Sequence, residues 1–228
     1  MKTGATPKIH FRGGRDGGGL ALRAVVFDFG EVLTGKPDAQ ARAALQRITG
    51  LGDEDFERLY WADRLAYDEG KLTGLQFWEK LCADAGLKLS AETIEELNRW
   101  DARMWTTHDP AMVRWAARLR ERGLKTAVLS NMGDSVHASL MQAFAWLKDF
   151  DALVWSYELG FAKPDPRIYA EALRRLGTPA QETLFLDDKA ANVEAARAVG
   201  MQGLVFSTVD KLRADLLARG LDKELPMP

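Results

Sequence analysis

Five short runs of apolar or β-branched residues punctuate the chain: Ala24 to Phe27, Thr126 to Leu129, Ala152 to Trp155, Thr183 to Leu186 and Leu204 to Phe206. Runs this short without polar alternation predict strands buried on both faces. From the second run onward, stretches of helical period separate them, which implies parallel strands joined by βαβ crossovers. The helix before Thr126 carries its own punctuation. Asp109 is placed to cap it, Pro110 suits its first turn, Met112, Val113, Ala116 and Leu119 repeat at helical spacing, and Gly123 ends it. A second helix is predicted from Asp165-Pro166 to Gly177, carrying Ile168, Tyr169, Ala172, Leu173 and Leu176. A third runs from about Asn192 to Val199, and a fourth from Asp210 to Ala218 places Leu212, Leu216 and Leu217 on one face.

Between Pro37 and about Thr107 the pattern changes: helical periods continue, broken by Gly50, Gly52, Gly70, Gly74 and Gly86, and no strand run interrupts them. Thr73 and Gln76 make a T-x-x-Q capping box at the start of one helix, and Ser90 opens the next. This predicts an all-helical insertion after the first strand, with Tyr60, Trp61, Tyr67, Phe77, Trp78, Trp100 and Trp105 chiefly in its core. Trp61 and Tyr67 are the aromatics assigned to a substrate cleft. The domain division is therefore residues 1–19 as a mobile, glycine-rich tail, 20–36 with 108–228 as the core domain, and 37–107 as the helical insertion.

With 228 residues and 46% hydrophobic content the chain can bury a substantial core. Its 31 basic and 33 acidic residues give a formal net charge of −2, which supplies no field to recruit nucleic acid or an anionic membrane. No stretch approaches the roughly 20 apolar residues that span a bilayer. Cys82 is the one cysteine, so no internal disulfide can form; a reducing, cytoplasmic location is expected, with Cys82 as a buried structural thiol.

The polar residues that follow these runs carry the chemistry. In an open parallel sheet, ligands bind beyond the carboxyl ends of the strands. Asp28 follows the first run, Ser130-Asn131 the second and Asp187-Asp188 the fourth, so all would meet on one sheet edge. One carboxylate to attack, a hydroxyl and an amide to hold phosphate oxygens, Lys163 to offset charge and a carboxylate pair to hold a divalent cation describe a phosphoryl-transfer site. His108 and His137 have no metal-ligand spacing.

The segments VVFDFGEVLT, VLSNMGD, FAKPDPRIY and FLDDKAAN occur in that order, and the chain resembles the haloacid dehalogenase-like hydrolase superfamily over roughly Leu22 to Phe206. The resemblance implies an α/β, Rossmann-like three-layer core with the insertion at 37–107 as a C1-type helical cap. It also implies a Mg²⁺-dependent phosphatase acting on a small phosphorylated metabolite through an aspartyl-phosphate intermediate. Asp28 would be the nucleophile, the Ser130 hydroxyl and the Asn131 backbone N–H would hold phosphoryl oxygens, and Lys163 would offset their charge. Mg²⁺ would be held by Asp28, the Gly30 carbonyl and Asp188, with Asp187 as a further ligand or a partner behind them, and Asn192 stands where many members have another aspartate.

One position departs from the family. Typical phosphatases carry Asp-x-Asp, the second carboxylate protonating the leaving group, whereas this chain reads Asp28-Phe29-Gly30-Glu31. A positioned acid typically contributes about 10²- to 10⁴-fold. Its absence favours esters whose leaving groups need little protonation, such as sugar 1-phosphates, acyl phosphates or aryl phosphates. Glu31 would point differently. Two further readings share these residues: a 2-haloacid dehalogenase, which needs no metal and usually lacks the carboxylate pair, and a catalytically impaired phosphate-binding module.

Overall fold

The computed structural model describes residues 21–227, so the tail expected over 1–19 lies outside the described residues. Strands β1 (Ala24–Phe27), β2 (Lys125–Ser130), β3 (Ala152–Trp155), β4 (Thr183–Asp187) and β5 (Gln202–Val205) form a parallel sheet in the order β3-β2-β1-β4-β5. Strand β1 is central: Val26 pairs with Ala127 of β2 on one side and with Phe185 of β4 on the other. Its side chains alternate between two apolar clusters, Val25 and Phe27 in one, Ala24 and Val26 in the other. That burial on both faces is why the run is apolar at every position.

Helices complete the layers. On one face, α6 (Pro110–Glu121) and α11 (Val209–Ala218) bring Met112, Trp115, Leu119, Leu212 and Leu216 into the cluster of Val25 and Phe27. On the other, α9 (Pro166–Leu176) and α10 (Ala190–Ala198) bring Ile168, Tyr169, Ala172 and Ala196 against Ala24 and Val26. The expected start and stop signals act as such. Asp109 accepts hydrogen bonds from the N–H groups of Ala111 and Met112, Asp165 from that of Arg167, and Gly177 closes α9 at φ 63°.

Two details differ from the sequence pattern. Strand β5 starts at Gln202, because Gln202 and Gly203 pair with Leu184 and Phe185, and it ends at Val205, with Phe206 beyond it still donating its N–H to the Asp187 carbonyl at 2.9 Å. Gly203 is a glycine because α10 packs over it: a Cβ there would lie 2.7 Å from Val193 Cγ1. The second difference is Leu217, which is 65% exposed. Five residues from Leu212, it falls off the stripe that Leu212 and Leu216 share at a spacing of four.

Five helices fill residues 37–107, between β1 and α6: α1 (Ala39–Thr49), α2 (Asp53–Ala62), α3 (Arg64–Asp68), α4 (Gly74–Asp84) and α5 (Ala91–Met104), with no strand among them in the described residues. Helix α4 begins with both hydrogen bonds of the Thr73–Gln76 capping box, and Ser90 caps α5. Tyr60, Tyr67, Phe77 and Trp78 are buried and touch edge to face or stacked, and Cys82 is buried beside them. The segment is tied to the sheet through α7 (Asp134–Ala143). Asp134 accepts from Gly74 N–H at 2.9 Å, Asn98 donates to Ser135 at 3.0 Å, and Gly133 lies under the Tyr67 ring so closely that a Cβ there would be 2.1 Å from it.

Candidate active site

The three strands that carry the polar residues, β2, β1 and β4, are adjacent, so Ser130, Asp28 and Asp187 emerge side by side at the sheet's carboxyl edge. Asp28 donates its N–H to the Leu186 carbonyl at 2.8 Å, a last ladder bond that continues β1 by one residue. Its carboxylate accepts from Phe29 N–H at 2.6 Å, which fixes the side chain where the chain turns away. The turn passes through Gly30 and Glu31, the latter at φ 55° with its N–H on the Thr34 hydroxyl at 2.9 Å.

Lys163 binds these elements together. Its buried ammonium meets Asp28 at 2.8 Å, Asp187 at 2.7 Å and the Leu129 carbonyl at 3.0 Å. An ammonium has three N–H groups, and each has an acceptor. The backbone of Lys163 is clamped in turn by the side chain of Asn131, which donates to its carbonyl at 2.9 Å and accepts from its N–H at 2.7 Å. Asn131 thereby holds the lysine in place through its side-chain amide, a role the sequence did not disclose. An amide side chain can pair with a peptide unit as another strand would, but only the fold brings residue 131 to residue 163.

Asp187 is fully buried and its oxygens are engaged, by Lys163, by Lys189 N–H at 2.8 Å and by the Asn192 amide at 3.0 Å to each oxygen. Asn192, on α10, thus acts as a donor to this carboxylate. Asp188 is half-buried and faces the cavity. Carboxylate oxygens of Asp28, Asp187 and Asp188 all lie within 4.8 Å of one another. Burial pushes the Asp28 carboxyl up to about 7, against the opposing pull of Lys163 and with Asp187 adding to the rise. Burial and Asp187 also raise the Asp188 pKa. Burial works against the charge on Lys163, but the Asp28 and Asp187 carboxylates outweigh it and raise that pKa. Three carboxylates against one buried ammonium leave an excess of negative charge that hard, oxygen-seeking Mg²⁺ would offset. The donor set therefore fits that ion.

Above the carboxylates lies a cavity of about 270 Å³. Asp28, Gly30, Ser130, Asn131, Lys163 and Asp188 line it from the sheet. Trp61, Arg64, Asp68 and Trp105 line it from the helical segment, and Glu31 reaches its wall from the turn. The buried Ser130 hydroxyl has only a long 3.4 Å contact to the Asn131 carbonyl, so it remains available to a ligand. Trp61 is in the cleft as expected, but Tyr67 is not: it is fully buried between Phe77 and Gly133. Trp105, assigned to the core, reaches the cavity instead, and Arg64 and Asp68 were not foreseen. A basic residue amid Tyr60, Trp61 and Tyr67 was the available signal for Arg64. Neither His108 nor His137 reaches the site: His137 packs on Trp155 and bonds Tyr157, and His108 packs on Phe144.

The family model of the haloacid dehalogenase-like hydrolases matches residues 22–200. Phosphatase MT3486 of Mycobacterium tuberculosis (strain CDC 1551 / Oshkosh) is 36% identical over 85% of this chain and 91% of its own. The sesquiterpene phosphatase astK of Aspergillus oryzae (strain ATCC 42149 / RIB 40) is 30% identical over 80% of this chain and 89% of its own. Among solved structures, the haloacid dehalogenase-like enzyme bt-2542 of Bacteroides thetaiotaomicron, in complex with magnesium and inorganic phosphate, superposes with a TM-score of 0.69 at 21% identity, over 84% of this chain and 99% of that one. The order of the polar segments, their convergence at one sheet edge and these matches agree, and the chain belongs to the haloacid dehalogenase-like hydrolases.

Proposed function

We propose that the protein is a Mg²⁺-dependent phosphatase, acting in the cytoplasm on a small phosphorylated metabolite through a covalent intermediate on Asp28. The observation that supports this most is the placement of Asp28: a carboxylate at the end of the central strand, held by Phe29 N–H and Lys163, opening into a cavity that Ser130 and Asn131 also line. In this reading one Asp28 oxygen attacks phosphorus and the leaving group departs with the electron pair of the broken P–O bond. Water then hydrolyses the aspartyl phosphate to inorganic phosphate and restores the carboxylate. Ser130 Oγ and the Asn131 N–H donate to phosphoryl oxygens, and Lys163 compensates charge that grows on them. Asp28, Asp188 and the Gly30 carbonyl would hold Mg²⁺, which supplies Lewis-acid stabilisation of the phosphoryl oxygens when bound, with Asp187, already accepting from Lys163, Lys189 and Asn192, as a further ligand or a partner beside them. We take the helical segment 37–107 as the cap that excludes bulk water from the first step.

Similarity to proteins named as phosphatases and to a fold solved with magnesium and phosphate supports this reading. The test is release of p-nitrophenol from p-nitrophenyl phosphate. Turnover is expected with Mg²⁺, to fall to background with EDTA, and to be lost in Asp28→Asn. Chloride release from a 2-haloacid without added metal, with no ester hydrolysis, would replace the reading with dehalogenation.

A further inference from the structure

Trp105 stands over Gly30, the position at which this chain lacks the second carboxylate. A Cβ built at Gly30 would lie 3.9 Å from Trp105 Cζ3. The first atom of a side chain there would be in van der Waals contact with a ring carbon, which offers a carboxylate no hydrogen bond. The ring is held in place: its N–H reaches the Tyr60 hydroxyl at 3.3 Å, and the Arg64 guanidinium lies 5.7 Å from it. Arg64 is itself fixed, by Asp68 at 3.1 Å and by the Tyr60 hydroxyl.

A second indole faces the same space. Trp61 is 49% exposed although it lines the cavity, and its N–H is tied to Glu57 at 2.7 Å, so the ring is oriented without being covered. Pro37, Met132 and Val136 add further apolar lining. Of the other carboxylates that line the cavity, Asp68 is ion-paired with Arg64, where burial raises its pKa, and Glu31 is exposed on its turn; neither occupies position 30, where the second carboxylate would stand.

Resting on the phosphatase reading, we infer that the cavity above Asp28 is an aromatic leaving-group subsite, walled by Trp61 and Trp105, and that its substrates are phosphate monoesters of phenols. The chemistry and the shape agree. A phenol, with a pKa of about 10, departs as an anion far more readily than an alkanol, which is close to water at about 15.7. As the P–O bond breaks and the bond to Asp28 forms, the phenolate takes the electron pair and is protonated by water. Indole faces accept a planar ring in offset or edge-on contact. The volume of about 270 Å³ admits a single-ring ester.

Phosphonates test the subsite separately from turnover, because their P–C bond is not hydrolysed. With Mg²⁺ present, calorimetry should show wild-type protein binding phenylphosphonate roughly tenfold more tightly than methylphosphonate. That gap should shrink to within about threefold in Trp61→Ala and in Trp105→Leu. Trp61 is half exposed, so its replacement does not endanger the fold should Trp105→Leu prove unstable. In turnover, both variants should lower the ratio of kcat/KM for phenyl phosphate to that for acetyl phosphate, an acidic leaving group without a ring. Equal affinity for the two phosphonates in wild type, or a gap unchanged in Trp61→Ala, would overturn the subsite. Acetyl phosphate hydrolysis without aryl preference would remove the subsite alone. Phenylphosphonate selectivity without hydrolysis of either ester would remove the phosphatase reading alone.

Discussion

A single ammonium group organises the chemistry of the site. Lys163 has three acceptors on three segments, and Asn131 clamps its backbone by two hydrogen bonds. Asn131→Ala removes the clamp and leaves the N–H and carbonyl of Lys163 without those partners. Displacing a reacting group by about 1 Å can lower the rate by about 10²-fold, so kcat/KM for p-nitrophenyl phosphate should fall by roughly that factor, with Mg²⁺ affinity read by calorimetry much less affected. Asp28 carries the pH dependence. Its pKa is raised from 3.8 to about 7 in the metal-free fold. A raised carboxyl contributes stability that is fully present below 3.8 and is lost as pH rises through about 7. The metal-free Tm should therefore decline across that window, and the decline should be shallower in Asp28→Asn. Ionised Asp28 is also the form that would bind Mg²⁺, so the rise in Tm on adding the ion should be larger near about pH 8 than near about pH 5.

At the scale of elements, the joint between α3 and α7 decides whether the cavity has its far wall. Gly133 accepts the Tyr67 ring at a distance no side chain tolerates. Gly133→Ala should destabilise the protein by about 1–3 kcal/mol, as overpacking does, with thermal unfolding as the readout and a rise in KM if Tyr67 carries α3 outward. This joint was illegible in the sequence, where Tyr67 was one of two aromatics assigned to the cleft. Helical period says that Tyr67 faces inward but not which neighbour receives it. The strands were legible because burial on both faces leaves an unmixed apolar run, as at Ala152–Trp155, whose bounds the sequence marks. Strand β5 was less so, because the close approach of Val193 requires a glycine where a strand would otherwise show an apolar residue.

For the whole molecule, the sheet order explains why four separated segments make one site. Placing β1 between β2 and β4 brings Asp28, Ser130 and Asp187 together, a convergence implicit in parallel connectivity and visible from polar residues placed just after apolar runs. The cavity's other side depends on how the inserted helices pack over that edge; the aromatic surroundings of Arg64 are its one local mark, and Asp68 and Trp105 carry none. No helix among the described residues is long and apolar enough to cross a membrane. The central claim is that Asp28 accepts the phosphoryl group. Acid quench of the wild-type protein during turnover of p-nitrophenyl phosphate with Mg²⁺, followed by peptide mass spectrometry, should find phosphate on the peptide containing Asp28 and none in Asp28→Asn. Sustained turnover with no phosphorylated Asp28 peptide, or undiminished turnover in Asp28→Asn, would contradict it.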